Sequence, residues 1–210
     1  MKVLVTGATG LVGKALVADL RKHGHEVLRL IRGNPVEADD LTWDPDNRNL
    51  PKSRLEGLDA VVHLAGENIA AKRWNVAVKE RLRRSRVETT KFLCETLCQL
   101  KTPPKTWICA SAIGFYGDRG QEILTESAAG GTGFLADLVR DWEASCEPAR
   151  KHGIRVVNLR IGVVLSPDGG GLKAMLTPFR MGVGGVMGSG RQYWSWVAPV
   201  SYTHLRAHET

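Results

Sequence analysis

Residues 2–13 read KVLVTGATGLVG, an apolar run passing directly into glycines at 7, 10 and 13 and then into an amphipathic stretch that lasts to about residue 23. Val and Leu run through residues 3–5 without a charge, which suits a strand buried on both faces. The three glycines have separate uses: the first lets the chain turn tightly, the second lets a pyrophosphate approach main chain, and the third lets the following helix pack on the strand. The helix N-terminus adds unpaired N–H groups and the positive end of a dipole. Gly7, Thr9, Gly10, Leu11, Val12 and Gly13 are therefore the expected phosphate-facing residues.

Outward from this unit the alternation repeats. Short β-rich runs at 26–32 (EVLRLIR), 40–44 (DLTWD), 59–66 (DAVVHLAG), 106–111 (TWICAS) and 155–165 (RVVNLRIGVVL) alternate with helical patterns at 11–23, 74–100 and 133–152. Continuous Val/Ile strands separated by helices predict an α/β fold with a doubly wound parallel sheet. Residues 1–165 are expected to form the dinucleotide-binding domain, 166–197 the start of a substrate-binding region, and 198–210 a tail of different character.

Composition narrows the function classes. The chain has 210 residues, 43% hydrophobic and 24% charged, with a formal net charge of +7. Its apolar runs are too short and too glycine-broken to cross a bilayer, so a cytoplasmic protein without a membrane partner is expected. The cysteines at 94, 98, 109 and 146 form no C-x-x-C pair and suit reduced, buried thiols, and no metal site is expected, since His204 and His208 lack a third ligand. Basic residues concentrate between Lys72 and Lys91, but no nucleic-acid-binding signature accompanies them, so a solvated helix face with one or two cofactor-facing cations is the reading.

Cofactor choice is read at the end of the second strand. NAD enzymes place a carboxylate there for the ribose hydroxyls, and NADP enzymes place a cation near the 2′-phosphate. Arg32 occupies that place with no carboxylate beside it, which favours NADP(H), the alternative being a solvent-facing strand-end arginine.

The T-G-x-x-G-x-x-G spacing of residues 6–13 resembles the short-chain dehydrogenase/reductase superfamily, as do DAVVHLAGEN (59–68) and ASAIGFYG (110–117). More narrowly, AGENIAAKRWN (65–75), SRVETT (85–90), DWE (141–143), GVVLSPDGGG (162–171) and GSGRQYWSW (188–196) resemble the epimerase-like SDR39U1/YfcH family. The resemblance implies a Rossmann-like NAD(P)-binding fold, contacts to the dinucleotide from Leu64, Ala65, Gly66 and Arg86, and an epimerase-like or oxidoreductase-like activity on an unidentified small-molecule substrate. It also implies that Ser111, after the fifth strand, steadies a substrate oxygen.

The superfamily's Tyr-x-x-x-Lys pair is missing from the next helix, where GTGFLADLVRDWE (131–143) offers Phe134 with Leu138 or, slipped by one, Leu135 with Val139. Tyr116 borders the substrate cavity by resemblance, but the residue four on is Gly120. A phenol with no cation beside it titrates near 10 and is a poor base at neutral pH, so catalysis and plain packing both remain open for Tyr116. A non-catalytic NADPH-binding sensor or interaction protein is the alternative function. Family members continue beyond the WSW motif, whereas APVSYTHLRAHET (198–210) resembles an adapter-derived tail. A truncated substrate region is thus expected, and Met175, Leu176, Phe179, Val183 and Val186 are expected to lack packing partners and to promote self-association.

Overall fold

The computed structural model describes residues 1–186 and 188–199. Six parallel strands, β1 (Lys2–Thr6), β2 (Glu26–Ile31), β3 (Asp40–Thr42), β4 (Ala60–His63), β5 (Thr106–Ala112) and β6 (Arg155–Ile161), form one sheet in the order β3-β2-β1-β4-β5-β6. The expected doubly wound sheet is thus present. The strand order reverses between β1 and β4, and the crevice beyond the carboxyl ends of such a pair is where open α/β sheets bind ligands.

The sheet divides its core by the two-residue period of its strands. Val3, Val5 and Val27 pack with Val17 and Leu20 of α1 (Leu11–Lys22). Leu4, Leu28 and Leu30 point to the opposite face, into a larger cluster with Leu93 and Leu97 of α3 (Thr89–Cys98), Trp107 of β5 and Trp142 of α4 (Phe134–Ala144). All four cysteines are free and buried there, and burial pushes the Cys98 and Cys109 thiols up.

Three elements differ from the sequence reading for identifiable reasons. The helix expected over 74–100 is α2 (Val76–Arg83) joined to α3 through a π-helical turn, Arg84–Glu88. The helix expected over 133–152 breaks after Ala144 and restarts as α5 (Glu147–Lys151), whose first turn contains Pro148, a residue with no N–H to continue the ladder. The run 155–165 leaves the main sheet at Gly162, where a Cβ would lie 2.6 Å from the Ser195 carbonyl oxygen. Beyond that approach β7 (Val163–Val164) pairs in parallel with β8 (Trp196–Val197). Helix α6 (Gly170–Arg180) buries none of its residues, and Phe179, Val183 and Val186 stand exposed. Residues 200–210, with His204 and His208, lie outside the described residues.

The loop after β2 is anchored from β3. Arg29 binds Asp40 through Nε, 2.7 Å, and the Asp40 carboxylate also accepts the amides of Val36 (2.7 Å) and Glu37 (2.9 Å). Burial opposes the Asp40 charge, but these amides and the guanidinium outweigh it and hold the carboxyl below its ordinary value. A lowered folded-state value stabilises the fold above the unfolded-state value, near 4, and the benefit vanishes as pH falls through the folded one. Asp40→Asn should therefore cost about 2 kcal/mol at pH 7 by denaturant unfolding, with the gap to the wild type closing below about pH 4.

Candidate functional site

The turn after β1 is built of backbone. Gly7 has φ +66°, and a Cβ there would stand 2.8 Å from the carbonyl carbon and oxygen of Leu64, so a side chain is excluded by both conformation and contact. A Cβ at Gly13 would come 2.2 Å from the Gly7 carbonyl oxygen, which is how closely α1 rides on the turn. Gly10 caps α1 in an extended conformation, with no side chain over the helix's first N–H groups. Thr9 and Gly10 are exposed, Leu11 and Val12 half-buried, Gly13 buried. Leu11 also packs against the start of α6, where a Cβ at Gly169 would lie 3.4 Å from its Cδ1.

A buried polar chain fixes the neighbouring strand end. Thr6 Oγ1 accepts the amides of Leu64 and Ala65, each at 3.1 Å, and lies 2.7 Å from His63 Nδ1. With both lone-pair directions taken, Thr6 has only its own proton to give, so Nδ1 accepts it and the other imidazole nitrogen carries the hydrogen. That nitrogen, Nε2, donates to Thr90 Oγ1 at 2.9 Å, which also receives Trp142 Nε1–H at 3.1 Å. His63 is fully buried and burial pushes its imidazole down to about 4, so it is neutral at pH 7. The backbone of Leu64, Ala65 and Gly66 is thereby held at the crevice. His63, Thr90 and Trp142 went unread in the sequence.

Around Ala65 and Gly66 a cleft opens, lined also by Arg32, Glu67, Arg81 and Arg84 and, from the loop after β3, Asp46. Arg32 is exposed and makes no hydrogen bond or ion pair among the described residues. Arg86 lies apart from this lining. Its guanidinium donates to the Glu67 carbonyl oxygen at 2.9 Å, stacks over Trp142 at 5.2 Å, and comes so close to Gly66 that a Cβ there would be 3.4 Å from its Cζ. Burial lowers the Arg86 value, with Glu67 partly opposing. Arg86 therefore supports the Gly66–Glu67 turn directly.

The other end of the crevice gathers four polar side chains from four segments. Ser111, buried at the end of β5, donates to Glu143 Oε1 at 2.5 Å, and Arg160 of β6 grips the same carboxylate with Nε and Nη2, each at 2.9 Å. Arg160 Nη1 donates to Tyr116 Oη at 3.0 Å, and the guanidinium lies 3.5 Å above the Phe115 ring centre. Burial works against the Glu143 charge, but Arg160 and Ser111 hold its carboxyl below the usual range, while Glu143 raises the guanidinium. The sequence reading sought a cation four residues after Tyr116. The cation is Arg160, 44 residues on. The α4 helix contributes Glu143 where Leu138 and Val139 are buried.

The family model of the NAD dependent epimerase/dehydratase family matches residues 3–199. The chain belongs to that family. It is 44% identical over 196 residues to Epimerase family protein Mb2239 of Mycobacterium bovis, an alignment covering 93% of this chain and 64% of the relative. The chain thus spans under two thirds of that relative's length. Among solved structures it resembles a nucleoside-diphosphate sugar epimerase from Corynebacterium glutamicum, with TM-score 0.86 and 44% identity over 98% of this chain and 42% of that one. It also resembles human epimerase family protein SDR39U1 (isoform 2), solved with NADPH, with TM-score 0.86 and 35% identity over 99% of this chain and 69% of that one.

The turn is tightest at Gly7 and Gly13 and less crowded at Gly10, where a Cβ would meet the Gly7 carbonyl oxygen at 3.2 Å, a contact that a shift of a few tenths of an ångström relieves. Gly10→Val should therefore fold, by circular dichroism, yet lose dinucleotide binding, because the branched side chain occupies the space over the helix amides. A folded variant with unaltered NADPH affinity would contradict this placement.

Proposed function

We propose that this chain carries the cofactor half of an NADP(H)-dependent epimerase-like or oxidoreductase-like protein of the short-chain dehydrogenase/reductase superfamily. Its substrate is a small carbonyl, hydroxyl or nucleotide-linked sugar compound. The Gly7–Gly13 turn takes the pyrophosphate, the Leu64–Gly66 backbone and Arg86 support the adenine side, and Arg32 faces the 2′-phosphate. The unpaired Arg32, with no carboxylate beside it at the end of β2, fits NADP(H) better than NAD(H). The cofactor supplies or takes the hydride.

One observation carries the catalytic part: Ser111, Glu143, Arg160 and Tyr116 form a single hydrogen-bonded cluster beside the crevice. Tyr116 accepts a hydrogen bond from Arg160, which leaves its own proton free for a substrate carbonyl. Ser111 spends its proton on Glu143, which leaves lone pairs to receive a substrate hydroxyl. Ser111 and Tyr116 are the catalytic residues in this reading. Glu143 orients both Ser111 and Arg160, in the manner of a carboxylate that steadies a catalytic side chain without leaving its own charge state.

No helix among the described residues is long and apolar enough to cross a membrane, in keeping with action in the cytoplasm. Residues 166–197 begin the substrate-binding region, and the exposed Phe179, Val183 and Val186 support self-association of the chain. A second reading, a non-catalytic NADPH-binding sensor, draws on the saturation of the Glu143–Arg160 pair, which resembles a structural ion pair.

Oxidation of NADPH over a panel of carbonyl compounds separates the two, measured on this chain and on one extended with the C-terminal third of a relative. Turnover is expected, with the Ser111→Ala, Tyr116→Phe double variant slower by about a hundredfold or more at unchanged NADPH affinity. NADPH binding without turnover in either form would favour the sensor.

A further inference from the structure

Three arginines line the cleft around Ala65 and Gly66, and they are not equivalent. Arg32 has no partner among the described residues. Arg81 Nε pairs with Glu67 at 3.4 Å, and Arg84 Nε with Asp46 at 3.5 Å. Three guanidinium groups against two carboxylates leave one net positive charge. A ribose 2′-phosphate brings close to two negative charges at neutral pH, so Arg32 alone would leave it half neutralised.

The two ion pairs differ in how firmly they are built. Glu67 is fixed by its backbone, since its amide donates to Ser85 Oγ at 3.2 Å and its carbonyl accepts Arg86 at 2.9 Å. Arg81 and Glu67 are also the less exposed pair, at 37% and 36% against 54% and 61% for Arg84 and Asp46. The Arg84–Asp46 contact is long, single and solvated, the kind of ion pair that contributes little by itself. A phosphate offers a guanidinium stronger, forked hydrogen bonds. The π turn sets this arginine up: Arg81, Arg84 and Ser85 share one helix face, and the Arg84 carbonyl accepts both the Thr89 amide, across the wider turn, and Thr89 Oγ1 at 3.2 Å. The Arg84 backbone is thus held while its side chain is only lightly tethered.

We propose that Arg84 is a second ligand for the 2′-phosphate of NADP(H), parked on Asp46 in the free protein and transferred to the phosphate when the cofactor binds. The inference rests on the reading of Arg32 given above. Asp46 is then a specificity-tuning residue, because it competes with the phosphate for Arg84 and repels it when the exchange is complete.

The test is equilibrium binding of NADPH and NADH to the 210-residue chain at fixed ionic strength, by nicotinamide fluorescence or calorimetry, with circular dichroism confirming that each variant is folded. Arg84→Gln should weaken NADPH about five- to tenfold and NADH less than twofold. Asp46→Asn should do the opposite, tightening NADPH about two- to fivefold, with the gain lost in the Asp46→Asn, Arg84→Gln double variant. Equal effects of Arg84→Gln on both cofactors, or no effect of Asp46→Asn on NADPH, would overturn the proposal. Arg32→Ala separates the layers of the argument. If it selectively weakens NADPH while Arg84→Gln does not, Arg84 alone is misassigned. If it affects both cofactors equally, the cleft is not a 2′-phosphate site and both readings fall.

Discussion

The hydrogen bond between Thr6 and His63, 2.7 Å long and fully buried, joins the two strands between which the strand order of the sheet reverses. Beyond the last ladder bond, from the Leu64 amide to the Thr6 carbonyl at 3.3 Å, the chain after β4 turns away from β1. The Thr6 hydroxyl accepts the amides of Leu64 and Ala65 and passes its own proton to an imidazole whose other nitrogen donates to Thr90, which Trp142 also bonds. A polar chain of this kind is favourable underground only when each member is satisfied, and the single proton order that satisfies Thr6 and His63 also fixes the tautomer. The Leu64–Ala65 backbone is thus hydrogen-bonded in place without a ligand, and a group already in place costs less to order on binding.

The two ends of that crevice are made differently. At the end proposed to take the pyrophosphate the turn presents main chain, and glycine is required because Leu64 and the Gly7 carbonyl already fill the places side chains would take. At the end proposed to react the groups are side chains, and four segments each deliver one: Ser111 from β5, Tyr116 from the turn after it, Glu143 from α4 and Arg160 from β6. An aromatic hydroxyl and a cation are the parts of the superfamily's Tyr-x-x-x-Lys pair, and here Tyr116 and Arg160 meet beside Ser111 without that spacing. Glu143 holds Arg160 with two hydrogen bonds, which fixes the guanidinium plane over the Phe115 ring and beside Tyr116.

This division explains what was legible in the sequence. Strand β1, its glycine turn and α1 are local features, and residues 2–23 contain nearly all the information that forms them. The parallel sheet followed from the continuous Val and Ile runs. Ser111 and Tyr116 are named from the family resemblance and Arg32 from its place after the second strand, and Ser111 and Arg32 lie at the carboxyl ends of β5 and β2. The Glu143–Arg160 pair and the Thr6–His63–Thr90–Trp142 chain could not be placed, because their members lie 17 to 57 residues apart and no local spacing links them. His63 lies within an apolar run and Glu143 follows Trp142, and neither position names its partner. The π turn has no local signature in RSRVE (84–88), and the departure of the chain at Gly162 depends on Ser195, far along the sequence.

A crystal structure of the chain with NADPH tests the account most directly. It should show the pyrophosphate over the amides of residues 10–13, the 2′-phosphate against Arg32, and the nicotinamide end turned toward Ser111 and Tyr116. A dinucleotide bound elsewhere, or one whose 2′-phosphate points away from Arg32 into solvent, would contradict it.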